Sequence, residues 1–416
     1  MSGSIETSRL PVDSIKLPFI PGSSTEFQAA LKAVSFTETT FASIDFHQRP
    51  NPNVVHMDGS RRASLAWRWL LPQPGTLYDN LANAETGRGI QLTVALHGFG
   101  CAQLFNGGGE QFNYFTAVTA ASGTPTAAPD WAGYNCQAAD AGTFDNNPWM
   151  TEIDQNPYLL LDFLEQLADN ISPSLTGFPK EKKLIVNLMG HSVGGRSLLV
   201  AASIDGGKRL LEVKKKWELA LGRPVEFQLT ALEPAFGMPR DAKIGALRLV
   251  DHRLFHTLMK LTPATVLTAL QVLLSMQAEA YGLGNPTSYP FGMILQSEHI
   301  PQLVAHPAAI RQPPKTKILS PAQLRALGYS VVIVIGENDR LVSNRATQEV
   351  LGDGKWSGKV GGVQQTVRVT DGELIIEKLT QQPGLTLIQK SGHTPEVNAP
   401  TAIAALIRFL HSQQSQ

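Results

Sequence analysis

The chain has 416 residues, 43% of them hydrophobic, which suffices for a sizeable core and sets disorder aside. Lys plus Arg and Asp plus Glu balance at 35 each, so no net field draws the protein to nucleic acid or to an anionic membrane, and the expected partner is a small neutral molecule. Cysteine occurs only at Cys101 and Cys136, too few for a disulfide framework and without metal-site spacing; one bridge between them stays open, and a reducing, cytoplasmic setting is expected.

In chain order, residues 1–52 form a lead segment rich in Ser, Thr and Pro, with a helix expected near Phe27–Val34 and a strand near Phe41–Phe46. Its start shows no basic stretch followed by an apolar one, so no signal peptide is expected. Val54 to Leu71 offers strand-like runs on either side of Asp58-Gly59, a hairpin turn pair. Gln91–Leu96 is a buried strand that ends in His97-Gly98-Phe99-Gly100. Asn106-Gly107-Gly108-Gly109 lacks the Gly-Lys-Ser/Thr of a phosphate loop, and Phe112, Phe115 and Val118 then recur at helical spacing. Pro157–Ile171 has one apolar helical face.

The centre of the pattern is Leu184–Val200. Leu184–Met189 is an apolar, β-branched run too short for a helix and without alternation, as in a strand buried on both faces. It meets Gly190-His191-Ser192-Val193-Gly194-Gly195, the G-x-S-x-G pattern that sets a serine on a tight strand-to-helix turn with its hydroxyl clear of the backbone. Ser192 is the candidate nucleophile. The residues from Arg196 onward continue as a helix, so the Val193 N–H points from a helix start toward whatever Ser192 attacks and supplies half of an oxyanion hole.

Beyond it, Lys208–Leu221 is a charged helix with a solvated face, and Glu226–Leu232 is a strand ending in Glu233-Pro234. From 236 to about 320 the chain turns helical and apolar, with Leu254, Leu258, Leu261, Leu270 and Leu273, broken by Pro263. Its longest uncharged run, Leu261–Gln277, falls short of a membrane span. His252 and His256 lie there at i, i+4 without the glutamate of H-E-x-x-H, so neither a metal nor a cofactor is expected. Strand–helix alternation resumes with a helix at Pro321–Leu327 and the strand Tyr329–Ile335, which ends in Gly336-Glu337-Asn338-Asp339. Thr366–Thr370 and Glu373–Leu379 flank Asp371-Gly372 as a hairpin. The strand Leu385–Gln389, the loop Ser391-Gly392-His393 and the helix Thr401–His411 complete the chain.

Leu184–Val200 resembles the nucleophile elbow of the α/β-hydrolase family, and the order nucleophile, acid, histidine extends the resemblance over most of 54–411. It implies a mostly parallel, doubly wound sheet, with a core from 53–235 and 321–416 and a helical cap, 236–320, inserted between its sixth and seventh strands. The family's H-G-x turn makes Phe99 the second oxyanion donor; His97 is expected to be structural, bonded to nearby backbone, because another histidine fits better within reach of the serine proton. Ala128-Pro129-Asp130 and Gly133-Tyr134 match a turn in which Asp130 is structural. Asp339 becomes the acid, with Glu233 the alternative from the preceding strand, and His393 the base.

The activity implied is that of a serine hydrolase cleaving a carboxylic ester of a largely hydrophobic small molecule through an acyl-enzyme. The same catalytic residues would serve acyl transfer or carbon–carbon hydrolysis, and a binding protein that kept the fold is the rival from another class.

Overall fold

The computed structural model of the protein describes residues 14–45, 62–72, 89–98, 114–129, 156–172, 179–237, 314–339, 342, 344–351, 363–370, 372–377, 385–393, 395 and 399–414. The apolar runs become strands: β1 (Ile15–Pro18), β2 (Ser35–Asp45), β3 (Arg62–Leu71), β4 (Ile90–Leu96), β5 (Thr126–Pro129), β6 (Leu184–His191), β7 (Val225–Leu232), β8 (Ser330–Gly336), β9 (Val363–Val369), β10 (Glu373–Glu377) and β11 (Leu385–Ile388). They form one 11-stranded sheet in the order β1-β10-β9-β11-β8-β7-β6-β4-β5-β3-β2. Pairing is parallel from β9 through β11, β8, β7, β6 and β4 to β5, and antiparallel at both margins. From β4 the chain steps outward to β5 and then returns to β6 on the other side of β4. The carboxyl ends of β4 and β6 therefore flank a topological switch point, where open α/β sheets bind ligands.

Helices cover both faces, as a parallel sheet requires. Packed on one are α3 (Asn156–Ile171), α4 (Val193–Ala201), α5 (Lys208–Leu221) and α6 (Pro321–Ala326). Packed on the other are α2 (Tyr114–Ser122) and α8 (Pro400–Gln414). In α3 the positions Leu160, Phe163, Leu164, Leu167 and Ile171 recur at helical spacing and are all buried. In α5 the buried face is Leu210, Val213, Trp217 and Leu221, with the Trp217 indole donating to the Leu164 carbonyl at 2.7 Å. Its outer face is solvated as expected, with Arg209 and Lys216 both reaching Glu165 of α3. Serine at 320 caps α6 with the reciprocal Ser320/Gln323 pair and a proline at the helix start.

Two differences from the sequence expectations are instructive. β3 pairs with β2, with Phe36 opposite Leu70 and Thr39 opposite Trp67, and with β5; the run before Asp58-Gly59 lies outside the described residues. Residues 15–45, compositionally a lead segment, thus supply an edge strand at each margin of the sheet, joined through α1 (Thr25–Lys32). The hairpin around Asp371-Gly372 forms as expected, with β9 extending the parallel set beside β11 and β10 receiving β1. Strand β6 is fully buried only over its second half; Ile185 and Asn187 are half-buried where they line a cavity of about 680 Å³ between α2 and α8, with Lys183, Glu226 and Gln228. That cavity lies at the amino-terminal ends of the central strands, whereas the turns expected to carry chemistry lie at the carboxyl ends.

At the edge of the cavity His411 of α8 is fully enclosed. Its Nδ1 lies 2.7 Å from Ser330 Oγ and its Nε2 lies 2.8 Å from Thr230 Oγ1. The Thr230 hydroxyl donates to Asn187 Oδ1, so its oxygen accepts from Nε2–H, and Nδ1 is left to accept from Ser330. Burial pushes the pKa of this imidazole down to about 3.

No helix among the described residues is long and apolar enough to cross a membrane. Phe99, Cys101, Cys136, the 106–109 glycines, Asp130, the 238–313 part of the expected cap and the His252/His256 pair lie outside the described residues.

Candidate active site

Strand β6 runs straight into α4 through Ser192, whose φ of 53° and ψ of −114° lie in a region that side chains rarely adopt. Such strain persists only where the surroundings over-determine it. Here the Ser192 N–H donates to the Leu232 carbonyl at 2.8 Å, and the Ser192 carbonyl accepts from Arg196 and Ala235. The glycines of the motif are required by close approach. A Cβ on Gly190 would strike the Gly194 carbonyl, and one on Gly194 would lie 2.5 Å from the Leu96 oxygen at the end of β4. Val193 is the first residue of α4, so its N–H belongs to the helix-start set that has no intrahelical acceptor.

The turn after β4 presses on the elbow from the side. A Cβ on Gly98 would be 2.9 Å from His191 Nδ1 and 3.0 Å from the Ser192 Cβ, so a glycine is needed there. His97 is fully buried, its Nδ1–H donates to the Gly98 carbonyl at 2.8 Å, and its ring stands edge-on to Phe115. The bond to nearby backbone is the one expected of a structural histidine.

Opposite the elbow, β8 ends in Gly336 and turns through Glu337 and Asn338 to Asp339. The turn is laced to the loop after β11: Glu337 N–H donates to the Ile388 carbonyl, Asn338 N–H to that of Ser391, and the Glu337 carboxylate accepts from Lys390 N–H. A side chain on Gly336 would run into the carbonyls of Gly392 and Ser391. The approach delivers His393, whose Nδ1 lies 2.8 Å from Asp339 Oδ2 with the Asp339 side chain wholly buried. Asp339 Oδ1 accepts from Val342 N–H at 2.9 Å. Burial pushes the Asp339 carboxyl upward, but the charge and hydrogen bond of His393, a bond with Glu233 and the Val342 N–H together hold it below its ordinary value. Asp339 is accordingly an anion at neutral pH.

Glu233 stands at the end of β7, fully buried and with a left-handed φ of 47°. Its Oε1 accepts from Gly336 N–H. Glu233, Asp339 and His393 offer polar atoms all within 4.8 Å of one another. Those donor types would also suit a metal, yet Glu233 Oε1 is engaged by the Gly336 N–H and Asp339 by the imidazole and the Val342 N–H.

Sequence reasoning missed one contact that joins the two halves. His191, the x of G-x-S-x-G, donates Nε2–H to the His393 carbonyl at 2.9 Å, and the two rings lie 4.9 Å apart. The partners are separated by 202 positions, and only the fold brings them together. Ser192, Asp339 and His393 thus converge at the carboxyl ends of β6, β8 and β11, with Val193 beside Ser192. Phe99 lies outside the described residues.

No protein-family model matches the chain, nor does any curated protein. Among solved structures the chain is similar to an esterase from Rhodococcus sp. ECU1013, at 15% identity over 86% of this chain and 97% of that one, with a TM-score of 0.43. It is similar to a peroxisomal α/β-hydrolase of Saccharomyces cerevisiae at 12% identity over 92% and 90%, TM-score 0.46. A third is the 2-hydroxy-6-oxo-6-phenylhexa-2,4-dienoate hydrolase of Rhodococcus sp. strain RHA1, at 13% identity over 91% and 99%, TM-score 0.39. What places this chain among folds is its own strand order and the elbow at the end of β6.

Proposed function

We propose that this chain, whose sheet and elbow are those of the α/β-hydrolase fold, is a serine hydrolase that cleaves carboxylic esters of hydrophobic small molecules. The observation that carries the reading is the 2.8 Å bond from His393 Nδ1 to the buried carboxyl of Asp339, at the same edge of the sheet as a serine on a strained strand-to-helix turn.

The chemistry follows from those positions. His393 Nε2 removes the Ser192 proton as Oγ attacks the ester carbonyl, and Asp339 fixes the tautomer and stabilises the imidazolium. The Val193 N–H, joined by that of Phe99, holds the oxyanion of the tetrahedral intermediate. As the carbonyl re-forms, the C–O bond to the alcohol breaks and His393 passes its proton to the leaving oxygen, which gives the acyl-enzyme and free alcohol. Water then attacks, His393 takes its proton, and return of that proton to Ser192 Oγ releases the acid.

The preference for hydrophobic esters rests on residues 236–320, which we place as a helical cap over the site. An apolar cap leaves a greasy cleft, suited to acyl chains or aromatic groups. The core would be 53–235 with 321–416, its sheet extended at both margins by strands from the lead segment 1–52. The low cysteine content supports a cytoplasmic setting.

A fluorophosphonate probe should label wild type and not the Ser192→Ala variant. On p-nitrophenyl esters of increasing acyl length, kcat/KM should rise by up to roughly fourfold per buried methylene, then fall once the cleft is full. A level profile from acetate to octanoate would defeat the hydrophobic-substrate claim, and absence of labelling would defeat the nucleophile.

A further inference from the structure

We propose that the cavity between α2 and α8 is a second binding site, for a small neutral molecule that presents a primary carboxamide or lactam edge on an apolar body. Its volume of about 680 Å³ is that of a small-molecule site. Its floor is the sheet. Thr93, Asn187, Gln228 and Ser330 stand in one row across β4, β6, β7 and β8, and Gln91, Ile185 and Glu226 form the row before it on the same face. A parallel sheet covered by helices is ordinarily apolar there, so a row of amides and hydroxyls across its centre is a departure that core packing does not require. The walls are apolar, with Val118 and Ala121 of α2, Ile403 and Ile407 of α8, and Leu17 of β1.

Most of the floor is satisfied internally. Thr93 bonds Thr124, Ser330 bonds His411, and the Glu226 carboxylate accepts from Lys183 and from Gln228 Nε2. Asn187 accepts the Thr230 hydroxyl at Oδ1. These bonds orient both amides. They leave the Asn187 Nδ2 donor and the Gln228 Oε1 acceptor without a hydrogen-bond partner among the described residues, on neighbouring strands in register and at the cavity. Strands lie about 4.8 Å apart, a gap that one amide group bridges. A primary carboxamide or a lactam carries its carbonyl and an N–H on the same edge, and so returns an acceptor to Asn187 and a donor to Gln228. The charged groups of the lining are engaged with protein, Lys183 with Glu226, and Arg408 with the Ser122 carbonyl at 3.0 Å, so the ligand is neutral.

Water is a poor occupant by comparison. The volume is that of on the order of twenty waters, most of which would face hydrocarbon and lack partners. An apolar body displaces them with a gain, while its amide keeps both floor bonds. The site is separate from the reactive turns. Asn187 precedes Ser192 by five residues, roughly 16 Å along β6. At the far end of β7 the chain is closed by α7 (Asn344–Leu351), whose Thr347 hydroxyl donates to the Pro234 carbonyl at 3.1 Å.

The probe is 4-butylbenzamide, titrated into the full chain by calorimetry. It should bind saturably, with 4-butylbenzoate and butylbenzene at least about tenfold weaker. Gln228→Leu and Asn187→Leu each remove one floor contact and should weaken it about tenfold. Ala404→Phe fills the cavity from α8 without touching the floor and should weaken it further. Treatment with a fluorophosphonate should leave the Kd unchanged, so this site and the esterase reading fail independently. No saturable binding, equal binding by the acid or the hydrocarbon, equal binding in all three variants, or loss on fluorophosphonate treatment would each overturn the proposal. A wild-type crystal soaked with the amide needs no variant to fold. The amide oxygen should lie roughly 3 Å from Asn187 Nδ2, with its N–H directed at Gln228 Oε1; the amide elsewhere, or water alone in the cavity, overturns the proposal.

Discussion

Ser192 is held by one continuous segment, β6 and α4 over Leu184–Ala201, whereas Asp339 and His393 are held by the ends of β7, β8 and β11, brought side by side from positions 233, 339 and 393. At the elbow the turn, the glycines and the helix start come from neighbours in sequence. The acid–histidine corner depends on the Gly336–Ser391–Gly392 contact, on backbone bonds between two loops, and on a carboxyl from a third strand. A locally encoded nucleophile survives changes elsewhere in the sheet. A corner assembled from three strand ends fails if any one of them moves. The His191–His393 bond is the tie between the two constructions.

Breaking the elbow should have the largest effect. Ser192→Ala should cost about three to six orders of magnitude in kcat while leaving the melting temperature near wild type, since the side chain is small and the turn preformed. Loss of folding, or activity near wild type, would show that the elbow is not the autonomous unit described. Breaking the corner should come next. Asp339→Asn should lower kcat by about 10⁴ through the wrong imidazole tautomer. Steady-state kinetics on the best ester would check this, and a small effect would remove Asp339 from the acid role. Cutting the tie should matter less. His191→Phe keeps a ring and deletes the donor to the His393 carbonyl, so kcat should fall about tenfold with little change in KM. An unchanged kcat would mean that the β11 loop is held by its other bonds alone.

The smallest effect is far from the elbow and concerns acid stability. The folded pKa of His411 is pushed down to about 3, whereas in the unfolded chain it titrates near its ordinary 6.5. Between those values only the unfolded chain takes up the proton, so stability should fall on acidification by about 1.4 kcal/mol per pH unit from this group. The Asp339 carboxyl, held below its ordinary 3.8, adds its own loss only below that pH. Urea unfolding of His411→Gln against wild type from pH 7 to pH 4 should therefore show a flatter decline in the variant. Parallel declines would mean that His411 is already hydrated in the native state.

The sequence by itself determined most of the elements and the candidates for the reacting groups. Short apolar runs marked the central strands β4, β6, β7 and β8, helical periodicity marked α3 and α5, and the G-x-S-x-G turn marked Ser192 because only glycines permit that bend. The order in which Asp339 and His393 follow was legible through resemblance. Tertiary structure alone decided the rest. It paired β2 with β3, and it carried residues 15–45 to both margins of the sheet. It left the first half of β6 half-exposed to a cavity, and it gave His393 the carboxylate of Asp339 and the Gly336 N–H the carboxyl of Glu233. The physical reason is common to all of these. Each is a choice among partners distant in sequence, whose local patterns allow several pairings, and the choice is made only when the whole sheet closes around one core.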